Sequence, residues 1–135
     1  MSEENADQEK PLKILVVDDE PNILEVIQSF LESEGYEVRT AESGASVFSY
    51  LDGDDTNIVL LDIRMPDIDG LQCLRYIKEK YPTIEVVMMS GFATLQMARK
   101  SLEIGAFDYL RKPLSFNHLK EVIQQIKITK FLETM

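Results

Sequence analysis

The chain has 135 residues, of which 44% are hydrophobic and 28% charged, a size and balance typical of one globular domain with its own core. Its formal net charge of −10 opposes attraction to nucleic acids and anionic lipids, so we expect no direct nucleic-acid binding and no membrane association by this segment. It lacks a long apolar run and a signal-peptide pattern, and its lone cysteine excludes an internal disulfide, so we expect a cytoplasmic protein.

Short β-branched runs alternate with segments of helical periodicity from about Leu12 onwards. The predicted strands are Lys13–Val17, Tyr36–Thr40, Ile58–Leu61, Val86–Met89 and Phe107–Leu110. The first, third and fourth strands are continuously apolar, which is typical of central parallel strands covered on both faces. The polar, acidic residues before them lack apolar periodicity. We therefore predict a flexible acidic tail at 1–11 and a single domain at 12–135.

Helical periodicity follows each predicted strand. Pro21 suits the first turn of the first helix and Gly35 its end, and the second helix is placed around Ser43–Leu51. Apolar stripes place the others: Leu71, Leu74 and Ile77 in the third helix, Leu95, Ala98 and Leu102 in the fourth, and Phe116, Leu119, Ile123 and Ile126 in the fifth. This repetition with short connections predicts a doubly wound α/β fold around a five-stranded parallel sheet.

Polar side chains follow four of the predicted strands. Asp18 and Asp19 come after the first strand, Asp62 after the third, Ser90 after the fourth, and Lys112 lies just past the fifth. In an open parallel sheet, ligands bind outside the carboxyl ends of the strands near the point where the strand order reverses. We therefore expect these side chains to meet at one edge of the sheet.

Three carboxylates that converge at this edge repel one another unless a cation neutralises them. Oxygen ligands suit Mg²⁺ or Mn²⁺, and Mg²⁺ commonly keeps waters and accepts phosphate oxygens. A carboxylate that attacks a phosphoryl group becomes an acyl phosphate, and this transfer depends mainly on positioning and charge neutralisation. The pattern therefore indicates a metal-assisted phosphoryl site in which Lys112 and Ser90 supply a positive charge and a hydroxyl.

Each of these residues also has a simpler interpretation when it is taken alone. The pair Asp18 and Asp19 is equally consistent with caps of the first helix, and Asp62 with a cap of its loop. Ser90 before a glycine is typical of a turn, and Lys112 of a solvated charge. Their joint placement at four strand ends favours the functional interpretation.

Four ordered motifs resemble the response-regulator receiver domains of two-component signal transduction. They are Val17-Asp18-Asp19-Glu20-Pro21, Asp62-Ile63-Arg64-Met65-Pro66-Asp67-Ile68-Asp69-Gly70, Ser90-Gly91 and Lys112-Pro113. The resemblance covers about Leu12 to the C-terminal helix. It implies a chemotaxis-regulator-like, flavodoxin-like (βα)5 fold with strand order 2-1-3-4-5. It also implies a phosphoprotein of a phosphorelay, which receives its phosphoryl group from a histidine kinase or phosphotransfer protein.

The resemblance implies a role for each site residue. Asp62 is the phosphoacceptor, and Ser90 and Lys112 contact the phosphoryl oxygens. The implied ligands of Mg²⁺ or Mn²⁺ are Asp18, Asp19, Asp62 and the backbone carbonyl of Arg64. The Lys112–Pro113 bond is expected to be cis, since a cis bond before proline costs little. Such a domain promotes only its own phosphorylation and dephosphorylation, so we do not expect an enzyme.

The resemblance also implies a switch and a partner surface. Ser90 and Tyr109 are the switch residues, which change the surface formed by the fourth helix, fifth strand and fifth helix. That surface binds an output domain or a partner protein. Arg64 and Phe92 occupy positions that tune the lifetime of the phosphoryl group, and Phe92 is expected to exclude water.

A second apolar stripe lies at the end of the chain and is consistent with two structures: pairing with a partner helix, as in a homodimer, or a frayed helix end. It comprises Ile128, Phe131, Leu132 and Met135. Other function classes stay open: a receiver-shaped interaction module that is never phosphorylated, and a hydrolase with an aspartyl-phosphate intermediate. A flavodoxin-like cofactor site is disfavoured because Asp18, Asp19 and Glu20 would repel a phosphate, and no Gly-x-x-x-x-Gly-Lys-Ser/Thr motif occurs.

Overall fold

The computed structural model describes residues 11–53, 55–91 and 94–135, with strands and helices in alternation. The strands are β1 (Lys13–Val17), β2 (Glu37–Ala41), β3 (Ile58–Asp62), β4 (Glu85–Ser90) and β5 (Asp108–Arg111). The helices are α1 (Pro21–Ser33), α2 (Gly44–Leu51), α3 (Gly70–Lys80), α4 (Leu95–Ile104) and α5 (Phe116–Glu133). Apart from Pro11, the predicted acidic tail at 1–11 lies outside the described residues.

The five strands form one parallel sheet in the order β2-β1-β3-β4-β5, as expected. β1 lies between β2 and β3, so the direction of strand addition reverses there. In a doubly wound fold, this reversal opens a crevice at the carboxyl ends of the two central strands. The fold therefore places the residues that follow β1 and β3 side by side at the same edge.

Alternate side chains of the strands supply two apolar layers, one on each face of the sheet. Ile14 and Val16 belong to the layer covered by α1 and α5, whereas Leu15 and Val17 belong to the layer covered by α2 and α3. All these side chains are almost fully buried. Burial of a large aliphatic side chain contributes about 1.5–3 kcal/mol. The central strands are therefore a rigid support for the residues at their ends.

The predicted bounds of the elements agree closely with the structure. β1 has the predicted limits, β2 and β5 are shifted by one residue, β3 is one residue longer, and β4 is one residue longer at each end. Helix α1 begins at Pro21 and is followed by Gly35, whose φ of +94° favours glycine. Ser43 is the N-cap of α2, since its side chain accepts a hydrogen bond from the N–H of Ser46.

Helix α4 lies where its apolar stripe predicts it, but that stripe is not its buried face. Leu95 and Leu102 are 75% and 49% exposed, while Met97 and Ile104 pack against the core and Ser101 is fully buried. α4 lies against α3 and β5, where a short side chain permits close approach. The buried Ser101 hydroxyl donates to the Met97 carbonyl at 3.0 Å, so it needs no other partner.

Among the described residues, none of the helices combines the length and the apolar composition that a bilayer-spanning segment needs.

Candidate functional site

The predicted site residues meet at the carboxyl edge of the sheet. Asp18 directly follows β1, Asp62 and Ser90 are the last residues of β3 and β4, and Lys112 directly follows β5. Backbone hydrogen bonds continue the sheet beyond these ends: the N–H of Asp18 donates to the Ala41 carbonyl at 3.1 Å, and that of Lys112 to the Ser90 carbonyl at 2.9 Å. These backbone hydrogen bonds therefore fix the positions from which the site side chains extend.

Lys112 bridges two buried carboxylates. Its Nζ lies 2.6 Å from Oδ2 of Asp18 and 3.1 Å from Oδ2 of Asp62, and Glu20 Oε1 lies farther away at 3.9 Å. Asp18 is fully buried and Asp62 is 4% exposed. The contact between Lys112 and Oδ2 of Asp18 is an ion pair, since this oxygen accepts no well-directed hydrogen bond from the described residues. Charged groups this deeply buried need such compensation.

The electrostatics of the site follow from its burial and charges. Burial raises the pKa of Asp62 above its ordinary value, and the Asp18 charge raises it further, against the opposing effects of Lys112 and the Arg64 N–H. That N–H donates to Asp62 Oδ1 at 3.2 Å. Burial alone lowers the pKa of Lys112, but its contacts with Asp18 and Asp62 outweigh this and the net pKa is raised. A single ammonium group, that of Lys112, therefore faces the two buried carboxylates of Asp18 and Asp62.

Two exposed acids extend the site towards solvent. The carboxylates of Asp18, Asp19 and Glu20 each offer an oxygen within 4.8 Å of the others, making them the described acidic group most suited to a metal. Asp19, Glu20, Asp62, Arg64 and Lys112 also line a shallow depression of about 300 Å³. The oxygen donors, the excess of carboxylates and an Asp18 Oδ2 that accepts no hydrogen bond from the described residues fit a hard divalent cation. These residues therefore fit Mg²⁺ or Mn²⁺.

Glu20 was not predicted as a metal ligand, although its position next to the acid pair could have suggested it. Glu20 is the N-cap of α1, yet its side chain makes no capping hydrogen bond in the described structure. Asp18 instead accepts a hydrogen bond from the Glu20 N–H at 3.0 Å. Asp18 therefore forms a local turn before α1, and neither Asp18 nor Asp19 is the N-cap residue of this helix.

Comparison with known proteins identifies the family of this fold and site. The family model described as the response regulator receiver domain matches residues 14–124. The chain belongs to the response regulator receiver family. The DNA-binding transcriptional regulator NtrC of Proteus hauseri is 38% identical over 120 residues, which cover 89% of this chain and 25% of the regulator. The receiver domain thus spans about a quarter of the length of the curated relatives it matches.

Solved structures of receiver domains agree with this assignment. A response regulator receiver domain from Clostridium thermocellum has a TM-score of 0.83 and 36% identity, covering 90% of this chain and 98% of its own. A chain of the CheX-CheY-BeF3-Mg+2 complex from Borrelia burgdorferi has a TM-score of 0.83 and 30% identity, covering 90% of this chain and 93% of its own. The order of strands therefore follows a fold that these receiver domains share.

The other predicted site residues of this receiver domain lie on β4 and β5 and in the loop after β3. Ser90 is buried, Arg64 is exposed, and Tyr109 is half-buried on β5, where it packs against the core layer of α2 and α3. The Lys112–Pro113 bond is cis, as predicted. Phe92, the second predicted tuning position, lies outside the described residues.

The loop after Asp62 is closed by Gly70. The N–H of Gly70 donates to the Ile63 carbonyl at 2.9 Å, and a Cβ at Gly70 would lie 2.5 Å from Ile63 Cα and 2.6 Å from the Asp62 carbonyl oxygen. These are backbone atoms, which cannot rotate away as a side chain can. The close approach of α3 to the end of β3 in this receiver domain therefore requires glycine.

Replacement of Gly70 by alanine is expected to lower the free energy of unfolding by about 1–3 kcal/mol, because the added methyl forces the backbone apart. Urea denaturation followed by circular dichroism measures this loss. Gly91→Ala is the matched control, since a Cβ there meets no described atom within 4 Å outside its chain neighbours. Equal stability of Gly70→Ala and the unsubstituted domain would contradict the predicted clash.

Proposed function

We propose that this receiver domain accepts a phosphoryl group on Asp62 from the phosphohistidine of a histidine kinase or phosphotransfer protein, with Mg²⁺ or Mn²⁺ bound beside it. The observation that carries this proposal is the contact of Lys112 with both Asp18 and Asp62 at the carboxyl edge of the sheet. Membership of the receiver family supports the same function. The domain is proposed to extend over 12–135, slightly beyond the matched residues.

Asp62, Lys112 and Ser90 have different roles in the proposed reaction. A carboxylate oxygen of Asp62 forms a bond to phosphorus as the phosphorus–nitrogen bond of the donor breaks. The bonding electrons stay on a donor ring that is protonated at its other nitrogen, which leaves an acyl phosphate on the protein and a neutral imidazole on the donor. Lys112 is close enough to Asp62 to pair with an oxygen of the transferred group. Ser90 supplies a hydroxyl from the adjacent strand. Each interaction opposes the charge repulsion that an incoming phosphoryl group meets at Asp62.

The proposed metal ligands are Asp18, Asp19, Asp62 and the Arg64 carbonyl. When bound, Mg²⁺ neutralises the carboxylates and the oxygens of the phosphoryl group. Asp18 and Asp62 provide buried oxygens, and the exposed Asp19 provides one from the solvent side. Glu20 lies within reach of the same group of acids and increases its negative charge.

We further propose that Ser90 and Tyr109 couple the phosphoryl group to the surface of α4, β5 and α5. The exposure of Leu95 and Leu102 on α4 supports a partner surface there, because large apolar side chains gain free energy when a partner covers them. The partner is an output domain or a separate protein. The relative from Proteus hauseri is named a DNA-binding regulator, whereas this acidic segment is proposed not to bind DNA itself.

A second apolar surface supports the proposal of a homodimer. It consists of the exposed side chains of Ile128, Phe131, Leu132 and Met135. The spacing of Ile128, Phe131 and Leu132 places them on one side of α5, and Met135 lies just past the end of the helix. The buried Leu119, Ile123 and Ile126 define the opposite, core-facing side. Sedimentation of the domain with and without phosphorylation would distinguish a constitutive dimer from a regulated one.

Phosphorylation is tested by incubating the domain with a small acyl phosphate and MgCl2 and measuring its intact mass. We expect one phosphoryl group per chain, on Asp62, and none when EDTA replaces Mg²⁺. Lack of labelling with Mg²⁺ present would reject the proposal in favour of an interaction module that is not phosphorylated. Repeated turnover of simple phosphate esters would instead favour a hydrolase.

Removal of Asp19 is expected to weaken Mg²⁺ binding with little change in the stability of the metal-free domain, because Asp19 is exposed. Loss of groups that only orient metal ligands already costs roughly tenfold in affinity, so Asp19→Asn is expected to cost at least that. The midpoint of thermal unfolding, measured against MgCl2 concentration, reports the affinity. Glu25→Gln on the exposed face of α1 is the control for the loss of one negative charge. An identical response of Asp19→Asn and this control would exclude Asp19 as a ligand.

A further inference from the structure

The loop that follows Asp62 is attached to helix α2 through Asp67. Oδ1 of Asp67 accepts a hydrogen bond from the N–H of Gly44 at 3.1 Å, and Oδ2 accepts one from the N–H of Ala45 at 2.9 Å. These N–H groups belong to the first turn of α2, where the helix itself provides no acceptor. The contact joins segments more than twenty residues apart, so it is tertiary rather than local.

Apolar packing reinforces the same contact. A Cβ at Gly44 would lie 1.7 Å from Ile68 Cγ2 and 3.4 Å from Met65 Cε. The Ile68 side chain therefore occupies the space that a side chain at Gly44 would need. The loop approaches the backbone of α2 this closely only because residue 44 is glycine. Two independent features, one polar and one steric, thus fit the loop to α2.

The attachment restrains the segment that contains Arg64. At the inner end of the loop, Gly70 donates to the Ile63 carbonyl, and the Arg64 N–H donates to Oδ1 of Asp62. At the outer end, Asp67 holds the chain to α2. Arg64 lies between these two fixed points, and its own side chain is exposed. The position of its carbonyl therefore depends on both ends of the loop.

We propose that Asp67 is a positioning residue for the metal site: by docking the loop on α2, it holds the Arg64 carbonyl in the orientation that Mg²⁺ binding requires. This inference rests on the proposed function, in which that carbonyl is a ligand. Mg²⁺ demands near-ideal octahedral geometry, so a small displacement of one ligand lowers its affinity. Groups that orient ligands without touching the metal commonly contribute about tenfold or more to affinity.

Mg²⁺ binding and docking of the loop on α2 are expected to favour each other. If the docked loop favours Mg²⁺, then Mg²⁺ must favour the docked loop by the same factor. The N–H groups of Gly44 and Ala45 donate hydrogen bonds to Asp67. Their protons are therefore expected to exchange with solvent more slowly when Mg²⁺ is bound. A cap that only stabilised α2 would give no such response to the metal.

The test compares Asp67→Ala with Ser43→Ala. Both variants remove an acceptor from the first turn of α2, but Ser43 accepts from Ser46 within the same turn, whereas Asp67 reaches across from the loop. Amide spectra of each protein titrated with MgCl2 give the dissociation constant for Mg²⁺. Asp67→Ala is expected to raise this constant about three- to tenfold, and Ser43→Ala to leave it unchanged.

A variant that leaves the carboxylate in place provides independent evidence. Gly44→Ala forces Ile68 away from α2 and is expected to weaken Mg²⁺ binding in the same direction. At saturating MgCl2, the maximal rate of labelling by a small acyl phosphate should return to that of the unsubstituted domain in both Asp67→Ala and Gly44→Ala. A change in Mg²⁺ affinity without a change in maximal rate identifies positioning of the metal ligand.

The outcomes separate this inference from the proposed function. Unchanged Mg²⁺ affinity in Asp67→Ala would overturn the positioning role while leaving phosphorylation of Asp62 intact. Equal weakening in Asp67→Ala and Ser43→Ala would also overturn it, because loss of helix stability would then explain both. Absence of Mg²⁺ binding by the unsubstituted domain would overturn both the inference and the proposed metal site.

Discussion

Replacement of Asp62 by asparagine is expected to abolish phosphorylation of this receiver domain while its fold is kept. The amide has no carboxylate oxygen with which to attack phosphorus, and loss of a nucleophile commonly lowers a rate by roughly a thousandfold or more. The remaining carbonyl oxygen is still able to accept a hydrogen bond from Lys112 or from the Arg64 N–H. Labelling with a small acyl phosphate, followed by intact mass, measures the loss.

The same variant is expected to unfold at a higher temperature than the unsubstituted domain in Mg²⁺-free buffer. Burial first, and then the charge of Asp18, raise the pKa of Asp62, so the ionised carboxylate is disfavoured in the folded state. The raised folded-state pKa of Asp62 makes the folded domain lose stability as the pH rises from the ordinary pKa of the acid to its raised one, and the penalty is complete above the raised value. Asparagine removes it.

Asp52→Asn is the matched control for the loss of one carboxylate. Asp52 follows α2 at the opposite end of the sheet, and its carboxylate is paired with Lys80 at 3.5 Å on the surface. It should be labelled as fast as the unsubstituted domain. Continued labelling of Asp62→Asn would place the acceptor on another residue, and a collapsed circular dichroism spectrum would show that the variant had lost its fold instead.

Replacement of Lys112 by methionine is expected to cause the largest loss of stability of any substitution in the site. Methionine keeps much of the apolar stem but removes the ammonium group between two buried carboxylates. Removal of one partner from a buried ion pair typically costs about 3 kcal/mol or more. We expect the free energy of unfolding in Mg²⁺-free buffer at neutral pH to fall by about this amount. Urea denaturation measures the fall.

Two conditions are expected to restore part of the stability of Lys112→Met. MgCl2 supplies a replacement cation for Asp18 and Asp62. Acidification protonates Asp62, whose pKa rises further once the lowering effect of Lys112 is lost, so the variant gains stability relative to the unsubstituted domain as the pH falls. The double variant Asp62→Asn with Lys112→Met should be more stable than Lys112→Met alone. A loss that is the same with Mg²⁺, at low pH and in the double variant would reject charge repulsion as its cause.

Much of the site was predictable because residues that follow the strands of a parallel sheet all lie at the same edge of that sheet. Asp18, Asp62, Ser90 and Lys112 follow four recognisable apolar strands, and strands of one direction end at one edge. The helices were predictable from periodicity, but the face of α4 was not. Its apolar residues lie on more than one side, so only packing against α3 and β5 selected Met97, Ser101 and Ile104 over Leu95 and Leu102.

By itself, the sequence determined the α/β fold, the receiver family and the edge at which the polar residues gather, because apolar strand runs and short motifs are local properties of the chain. Only the tertiary structure decided that Lys112 contacts both Asp18 and Asp62, and that Asp67 docks on Gly44. These contacts join distant segments at hydrogen-bond distance. They depend on how closely the layers pack, and the absence of a Cβ at Gly44 or Gly70 sets that distance only once both sides are in place.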